Sequence, residues 1–412
     1  MASRWSALGP GLLFAATAVG VSHLVQATRA GAQAGLGMAG LVLLAHAIKY
    51  PAFRIGHDYP AATGQSLLQA YRRQGRWALI LYGLVTLGTM FTVQAAVTLV
   101  TVGLLLALVD VRMDPVTLSV ILLVCSALFL AVGRFSGLDR LTRVLVGVLS
   151  IATVTAAALV VPRVDFGSLG FGLGAALDPA RAAFVVGFVG WMPTAPDVSV
   201  WQSLWVRAKA REGETTPAGV RLDFHVGYAT TLLLALAFLV LGAGVLHGGG
   251  ELPARPVSFC RRLLDVYTEA LGPWARPVVG VAALAAMAST TLAVLDGFPR
   301  ALSGLYLRWS RDEDDEAEEA TGAAHQAYWI ALGLLCAGAL GLIGLFLTSL
   351  RALVDVATVL SFLSAPVLCW LNHRAAFGPE GRAQVDAPRW LRGASGVGIV
   401  AHLALAACFL VA

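Results

Sequence analysis

The stretch of sequence that decides the fold runs Val189-Gly190-Trp191-Met192-Pro193-Thr194-Ala195-Pro196-Asp197. It lies midway through an apolar segment long enough to cross a bilayer. Pro193 and Pro196 remove two backbone donors and clash with the preceding turn, so the stretch predicts a broken helix. Asp197 follows at once, and a carboxylate at membrane depth indicates a functional site. Because free carbonyls and amides at that depth must face protein or a cavity, the break predicts half of a substrate site.

The rest of the chain has the composition of a helical membrane protein. Of its 412 residues, 58% are hydrophobic and 13% are charged, whereas about 25% are charged in soluble domains. The basic residues are scattered among short loops, which argues against a nucleic-acid surface, and the cysteines have no metal-ligand spacing. The sequence shows no phosphate loop, catalytic triad or cofactor fingerprint, so we expect neither an enzyme nor a bound cofactor.

Eleven membrane spans are predicted from the apolar runs, and the lipid bilayer is their surrounding partner. They cover residues 9–35, 37–56, 77–108, 115–133, 141–161, 181–207, 222–246, 274–304, 326–348, 351–373 and 392–412. Lys and Arg concentrate in the loops that are cytoplasmic if the N-terminus is inside, which predicts an internal N-terminus and an external C-terminus. We expect the inner (plasma) membrane as the location. A short amphipathic helix on the outer face is predicted at 256–271, and a solvated cytoplasmic linker at the acidic run 312–319.

Span 1 is interrupted at the corresponding place, by Gly20-Val21-Ser22-His23, and these residues form helix poorly. Spans 1 and 6 begin two sets of five, and because five is odd the second set is inverted in the membrane. Broken helices at matching positions of two inverted halves are typical of secondary transporters with a site at the midplane. The predicted fold is therefore all-α, with a first repeat at 1–161, a second at 181–373 and an additional helix at 374–412.

Five short segments carry a family resemblance: residues 9–13, 29–35, 192–193, 285–291 and 360–366. They resemble, in that order, the two flanks of helix 1, the start of the Met-Pro-His motif of helix 6, the Ser/Thr-rich helix 8 and part of helix 10 in one family. That family is Nramp (natural resistance-associated macrophage protein), the divalent-metal transporters. It shares the inverted-repeat fold of sodium-coupled amino-acid transporters. The resemblance covers most of the chain and implies alternating access and a metal cation as substrate.

The departures from that family fall on the site itself. Its helix 1 motif Asp-Pro-Gly-Asn corresponds to residues 20–23, so the resemblance places Gly20 where the metal-binding Asp stands and His23 where the Asn stands. Thr194 replaces the His of Met-Pro-His. The resemblance therefore implies a divergent branch with a rebuilt site.

Three side chains from the two breaks are the predicted metal ligands: His23, Met192 and Asp197. His23 offers an imidazole, Met192 a soft thioether and Asp197 a carboxylate. The thioether favours transition metals such as Mn²⁺ or Fe²⁺ over Mg²⁺. The wider predicted substrate site adds Gly20, Ser22, Gly190 and Thr194, with unwound carbonyls completing the shell. A single carboxylate leaves a divalent ion half neutralised, which argues against tight binding.

A small organic solute, such as an amino acid or amine, is the alternative substrate. Half-helix N-termini hold anionic groups, and Trp191 and Trp201 are placed to line an apolar wall. Ser289 and Thr290 would then hold a coupling Na⁺ with helix 1 carbonyls, and H⁺ is the other candidate coupling ion. A third hypothesis, a membrane sensor without transport activity, predicts a closed and dry centre at both breaks.

Polar side chains within the spans are candidates for ion coupling or gating. They are Ser289, Thr290, Gln94, His46, Lys49, Asp296 and Thr358. By the resemblance, Gln94 lies on the helix that carries proton-handling acids in the family, and Thr358 takes the place of a helix 10 Gln. Lys49 and Asp296 are a candidate pair, either as a gate or as a structural ion pair, and the sequence leaves the pairing open. Asp355, near the outer end of span 10, is expected to be solvated.

Overall fold

The computed structural model describes residues 10–109, 113–132, 135–172, 179–211, 217–249, 252–310, 322–379, 381, 385 and 387–411. The described chain is helical and has no strand. The helices of the spans, in order, are Pro10–Ala18, Ser22–Ala27 and Thr28–Ala34 (span 1), Ala39–Thr63, Arg76–Leu108, Pro115–Val132, Phe135–Val160, Pro179–Trp191 and Val198–Arg211 (span 6), Pro217–Leu241 extended by Gly242–Leu246, Ala275–Ser310, Gly322–Phe346, Leu350–Phe377 and Arg389–Val411. The acidic run 312–319 lies outside the described residues.

Eight of the described helices are long and apolar enough to cross a membrane. The three predicted spans missing from that group are 1, 2 and 6. Spans 1 and 6 are each divided into two short halves, as predicted, and span 2 carries Lys49, Arg54 and Asp58 within its helix. The three segments that deviate from a simple membrane helix are therefore the ones that carry the candidate site.

Two short α-helices lie between spans in the described part of the chain, and two 3₁₀ turns, Val161–Arg163 and Phe166–Ser168, follow span 5. Leu67–Gln74 connects spans 2 and 3, and Pro256–Leu271 is the helix predicted on the outer face. The second buries one side against the spans, where Tyr267 OH lies 2.8 Å from Thr153 Oγ1 of span 5. Burial raises the pKa of the Cys260 thiol on the same side, so this cysteine stays protonated.

Spans 1 and 6 are enclosed by their neighbours. Both halves of span 1 pack against span 7, the first half of span 6 packs against span 10, and the second half packs against span 2. Spans 3 and 8 pack along each other on the remaining side. Glycine permits several of these close approaches; at Gly190, for example, a Cβ would lie 2.5 Å from the Thr358 carbonyl oxygen. The packing places both breaks in the centre of the bundle.

Candidate substrate site at the two helix breaks

The break in span 1 is closed by side chains of the same segment. The first half-helix ends at Ala18, whose carbonyl oxygen lies 2.6 Å from Ser22 Oγ and 2.9 Å from His23 Nδ1. These contacts occupy a carbonyl that a broken helix leaves free. Gly20 lies against span 8, because a Cβ there would be 2.9 Å from Thr290 Cγ2. The position that corresponds to the family's metal-binding Asp is thus closely packed.

The break in span 6 is closed by a residue of another span. The first half-helix ends at Trp191, and the second begins at Val198. The Lys49 ammonium, fully buried, donates to the Gly190 carbonyl at 2.5 Å and to the Thr194 carbonyl at 3.2 Å. The carbonyl of Gly190, predicted to be open to a substrate, is therefore already engaged.

The candidate pairing of Lys49 with Asp296 is wrong. The Asp296 carboxylate accepts hydrogen bonds from Arg300, at 2.8 and 2.9 Å, and from Tyr328 OH at 2.9 Å. Arg300 is four residues further along the same helix, so the two side chains share one face and meet without help from another span. Lys49 instead turns to the break in span 6.

The two breaks meet directly, because Ser22 Oγ lies 3.0 Å from the Pro193 carbonyl oxygen. Beside this contact is a cavity of about 40 Å³ between spans 1, 3, 6 and 8. That volume admits a metal ion or a few water molecules. Most of its wall is apolar, and its polar and aromatic lining consists of Thr17, Ser22, Thr194, Thr290, Trp191, Trp201 and Phe298. Of the predicted substrate residues, Ser22 and Thr194 line the cavity itself.

His23 is fully buried and holds span 1 against span 7. Its Nε2 lies 2.9 Å from the Thr231 carbonyl oxygen, and its Nδ1 lies 2.9 Å from that of Ala18 and 2.8 Å from Ser22 Oγ. A neutral imidazole donates from one nitrogen and keeps a lone pair on the other, but here both nitrogens face polar atoms of the protein, whereas a metal ligand needs an accessible lone pair. In this arrangement the ring fastens two helices together.

Asp197 and Met192 are fully buried beside the cavity lining. Neither carboxylate oxygen of Asp197 has a hydrogen-bond donor within the described part of the chain. The Trp201 Nε1–H likewise has no acceptor there. Asp197 immediately precedes the second half-helix of span 6, whose N-terminal end favours negative charge. An unpaired carboxylate in this position is suited to receive a cation or a proton.

One tyrosine near Asp197 is committed to another partner. Tyr71, on the helix between spans 2 and 3, donates its hydroxyl proton to Asn372 Oδ1 at 2.5 Å. Burial raises the pKa of Tyr71 well above its ordinary value, and the negative charge of Asp197 adds to the effect. Tyr71 therefore remains a neutral donor and belongs to the frame of the site.

The predicted coupling residues of spans 3 and 8 differ in whether they reach the cavity. Thr290 Oγ1 is 3.4 Å from the Ala16 carbonyl of span 1 and 3.0 Å from that of Ala286, so it does contact a helix 1 carbonyl. Ser289, one residue earlier, is half-buried. Gln94 Nε2 donates to Thr98 on its own helix at 3.0 Å. Thr290 is the member of this group that reaches the cavity.

The two remaining coupling candidates bind elsewhere. His46 Nδ1 lies 2.8 Å from the Val42 carbonyl on the preceding turn of span 2. Thr358 Oγ1 accepts a hydrogen bond from Gln26 Nε2 at 3.4 Å, which links span 10 to the second half of span 1. Thr358 thereby joins a polar group on the side of the cavity that is predicted to face outward.

That outer group corrects the expectation for Asp355. Its carboxylate binds both Nη atoms of Arg29, at 2.7 and 3.3 Å, and the side chain of Arg29 is only 4% exposed. Along span 1, Arg29 lines a second cavity of about 220 Å³ on the side predicted to be external, here called the outer cavity, Ser22 lines the central one, and Gln26 lies between them in sequence. The Arg29–Asp355 pair therefore lies at the wall of the outer cavity.

Sequence reasoning missed Thr17 and Arg29. Thr17 lies in an apolar run, and its hydroxyl also bonds to the Leu13 carbonyl at 2.8 Å, so nothing in the pattern reveals that it faces the cavity. Arg29 did give a signal, because it is a charged residue inside a predicted span. Across the described residues, no three His, Cys, Asp or Glu side chains come together as a metal site.

Known proteins share this fold and sequence pattern. A family model described as natural resistance-associated macrophage protein-like (Nramp) matches residues 11–412. An uncharacterized protein of Pasteurella multocida (strain Pm70) is 32% identical over 388 residues, or 93% of this chain and 87% of that protein. A manganese transporter of Eremococcus coleocola superimposes with a TM-score of 0.68 at 15% identity, over 98% of this chain and 87% of that one. MhsT in complex with L-phenylalanine superimposes with a TM-score of 0.63 at 14% identity, over 99% of both chains. The predicted fold, an all-α inverted repeat with broken helices 1 and 6, is confirmed.

Proposed function

Since the chain belongs to the Nramp family, we propose that it is a secondary-active transporter that carries a divalent metal cation through a membrane by alternating access. The observation that supports this most is the contact between the two breaks, where Ser22 Oγ lies 3.0 Å from the Pro193 carbonyl beside a cavity whose largely apolar wall carries four hydroxyls. Broken helices of two inverted halves that meet beside one cavity are the arrangement expected of a transport site.

Asp197 and Met192 are the side chains that we assign to the metal. Asp197 supplies the negative charge, since both its oxygens lack a described partner, and Met192 supplies a soft sulfur that favours Mn²⁺ or Fe²⁺ over Mg²⁺. Ser22 and Thr194 would add hydroxyl oxygens from the cavity wall. His23 remains a predicted ligand, and its ring must first leave Ala18 or Thr231. The single carboxylate favours weak binding, which suits release.

The outer side supports alternating access. Arg29 and Asp355 join the second half of span 1 to span 10, and Gln26 and Thr358 form a second contact one turn deeper. Because these contacts hold span 1 against span 10 beside the outer cavity, we assign this structure to a state closed to the outside. Opening would require that span 1 move away from span 10, with both contacts broken.

Metal uptake into proteoliposomes tests the proposal. Vesicles that contain the purified protein should accumulate Mn²⁺ or Fe²⁺ faster than empty vesicles, and faster than they accumulate Mg²⁺. Met192→Ala should reduce the preference for Mn²⁺ over Mg²⁺, because the soft ligand is lost. Equal uptake by protein-containing and empty vesicles for all three ions would refute the metal assignment.

A small organic solute is the second candidate, and the composition of the cavity wall favours it. Trp191 and Trp201 line the cavity, and its described lining contains hydroxyls but no carboxylate. Aromatic walls with a few polar groups are typical of sites for small molecules. A panel of amino acids and amines, each with and without Na⁺, should then include compounds that raise the melting temperature of the protein. Stabilisation by Mn²⁺ alone would exclude this candidate.

The placement in the membrane is also a proposal. The distribution of Lys and Arg favours a cytoplasmic N-terminus, an external C-terminus and the plasma membrane, with repeats at 1–161 and 181–373 and an additional helix at 374–412. Reporter enzymes fused to each terminus test it. A reporter active only outside the cytoplasm should function at the C-terminus and fail at the N-terminus, and the reverse result would invert the orientation.

A further inference from the structure

The Lys49 side chain occupies a place where a free ion would fit. Its ammonium contacts the carbonyl oxygens of Gly190 and Thr194 at 2.5 and 3.2 Å, and both belong to the end of the first half-helix of span 6 and its break. Free carbonyls at such half-helix ends coordinate monovalent coupling cations in transporters of this architecture. The negative end of the helix dipole adds to the attraction.

The charge of Lys49 is compensated by these carbonyls and by no acid. No carboxylate within the described ranges forms an ion pair with it. The titratable groups within electrostatic range are His46 on its own span, Cys369 on span 10 and His402 on span 11, none of which supplies a carboxylate. A fully buried ammonium requires oxygen partners, and the two carbonyl oxygens replace the water molecules that would otherwise surround it.

We propose that the Lys49 ammonium is a tethered cation that fills a monovalent-cation site in the span 6 break. The protein then needs no Na⁺ or K⁺ at this position, since the cation is part of the chain. Shortening the side chain to Ala removes the ammonium but leaves the two carbonyls. The vacated space becomes a site for a small soluble cation, such as Na⁺ or methylammonium. Lys49 is a positioning residue, because it acts on the break and not on the substrate.

Thermal denaturation in detergent tests the cation site without any transport assay. Wild type, Lys49→Ala and the matched Lys49→Met variant are compared in NaCl, methylammonium chloride and choline chloride at equal ionic strength. Methylammonium or Na⁺ should raise the melting temperature of Lys49→Ala by several degrees relative to choline, which is too large to enter. Wild type and Lys49→Met should show no such difference, because a side chain fills the space. An unchanged Lys49→Ala, or an equal shift in wild type, would overturn the proposal.

The statement that wild type needs no Na⁺ at the span 6 break also makes a prediction for transport. This prediction rests on the proposed transport function and is measured separately. Wild-type uptake of Mn²⁺ should be equal in Na⁺ and choline buffers, Lys49→Ala should lose most of it, and methylammonium should restore it in Lys49→Ala but not in Lys49→Met. Uptake by Lys49→Ala that equals wild type in choline, or that methylammonium does not restore, would overturn the proposal. If wild type transports no metal, the proposed function fails, whereas the thermal measurement still decides the cation site.

Discussion

The free carbonyl oxygens at the two helix breaks find their hydrogen-bond donors in different ways. In span 1, the free carbonyl of Ala18 is contacted by Ser22 and His23 from the same segment. In span 6, the free carbonyls of Gly190 and Thr194 depend on Lys49, which is 141 and 145 positions away in the chain. The first break is therefore locally satisfied, whereas the second holds its shape only while another span supplies a cation.

The difference locates the adaptable part of the site. Span 6 carries the buried carboxylate of Asp197 without a described donor, whereas the polar atoms at the span 1 break have partners. Unpartnered charge at membrane depth lowers the stability of the fold, so its presence indicates a functional role. We therefore expect changes at the span 6 break to alter transport most, and changes at the span 1 break to alter mainly stability.

Asp197→Asn is predicted to have the largest effect. The amide keeps the shape of the carboxylate but removes its charge, so metal uptake should fall at least about tenfold, equivalent to about 1.4 kcal/mol. The melting temperature should stay the same or rise, because a buried unpaired charge is lost. Uptake by proteoliposomes and thermal denaturation in detergent measure the two effects.

Asp165→Asn is the control for that variant, since Asp165 lies in an exposed turn and its carboxylate binds the Gly167 amide. It should leave uptake unchanged. A marked fall in the melting temperature of Asp197→Asn would show instead that the carboxylate stabilises the fold, and the contrast between the two breaks would be lost.

Asp355→Asn is predicted to have the second-largest effect, and it acts on the second half of span 1. It leaves the buried Arg29 without its anionic partner. We expect the free energy of unfolding to fall by about 3 kcal/mol, which is at the low end for buried pairs because Asp355 is 30% exposed. The melting temperature should drop clearly, and a cysteine-reactive probe at Gln26→Cys should gain access from outside.

A surface pair provides the matched control. Asp265 pairs with Arg276, and both side chains are more than one-third exposed, so Asp265→Asn should change stability by less than about 1 kcal/mol. Equal losses in Asp355→Asn and Asp265→Asn would mean that the Arg29 pair does not close the outer side.

Local signals explain what could be predicted from the sequence. Pro193 and Pro196 indicated the span 6 break, Gly20 to His23 indicated the span 1 break, and an amphipathic pattern indicated the outer helix at 256–271. Each signal acts through the backbone or the helical period of a few neighbouring residues. These elements are therefore found without knowledge of which helices are adjacent.

The partners of buried side chains could not be predicted, because packing between distant spans decides them. Depth alone makes Asp296 a candidate partner of Lys49, whereas Asp296 meets Arg300 one turn away on its own helix. His23 was assigned to a metal, and its ring lies against the Thr231 carbonyl, 208 positions along the chain. Two residues at one depth have many potential neighbours, and a sequence pattern does not rank them.

Gly190→Ala is predicted to have an intermediate effect on the span 6 break. The added methyl group would lie 2.5 Å from the Thr358 carbonyl oxygen and 2.7 Å from Phe362 Cβ, and neither can rotate away. Because of this overpacking, we expect the free energy of unfolding to fall by about 1–3 kcal/mol, which would be measured as a lower melting temperature. Gly147→Ala on span 5, where nothing lies within 4 Å, should be tolerated. Equal behaviour of the two variants would mean that spans 6 and 10 do not pack this closely.

Ser22→Ala is predicted to have the smallest effect, and it separates the two breaks. Ser22 Oγ contacts both the Ala18 carbonyl of its own helix and the Pro193 carbonyl of span 6. Ser150, on span 5, makes only the first kind of contact, to the Val146 carbonyl at 2.7 Å. Because one hydroxyl proton is shared between the two carbonyls, Ser22→Ala should lower the free energy of unfolding by at most about 1 kcal/mol more than Ser150→Ala, the value of one full hydrogen bond between the breaks. If both variants melt at the same temperature, the breaks are held together by packing alone, and the span 1 break contributes no polar contact to the span 6 break.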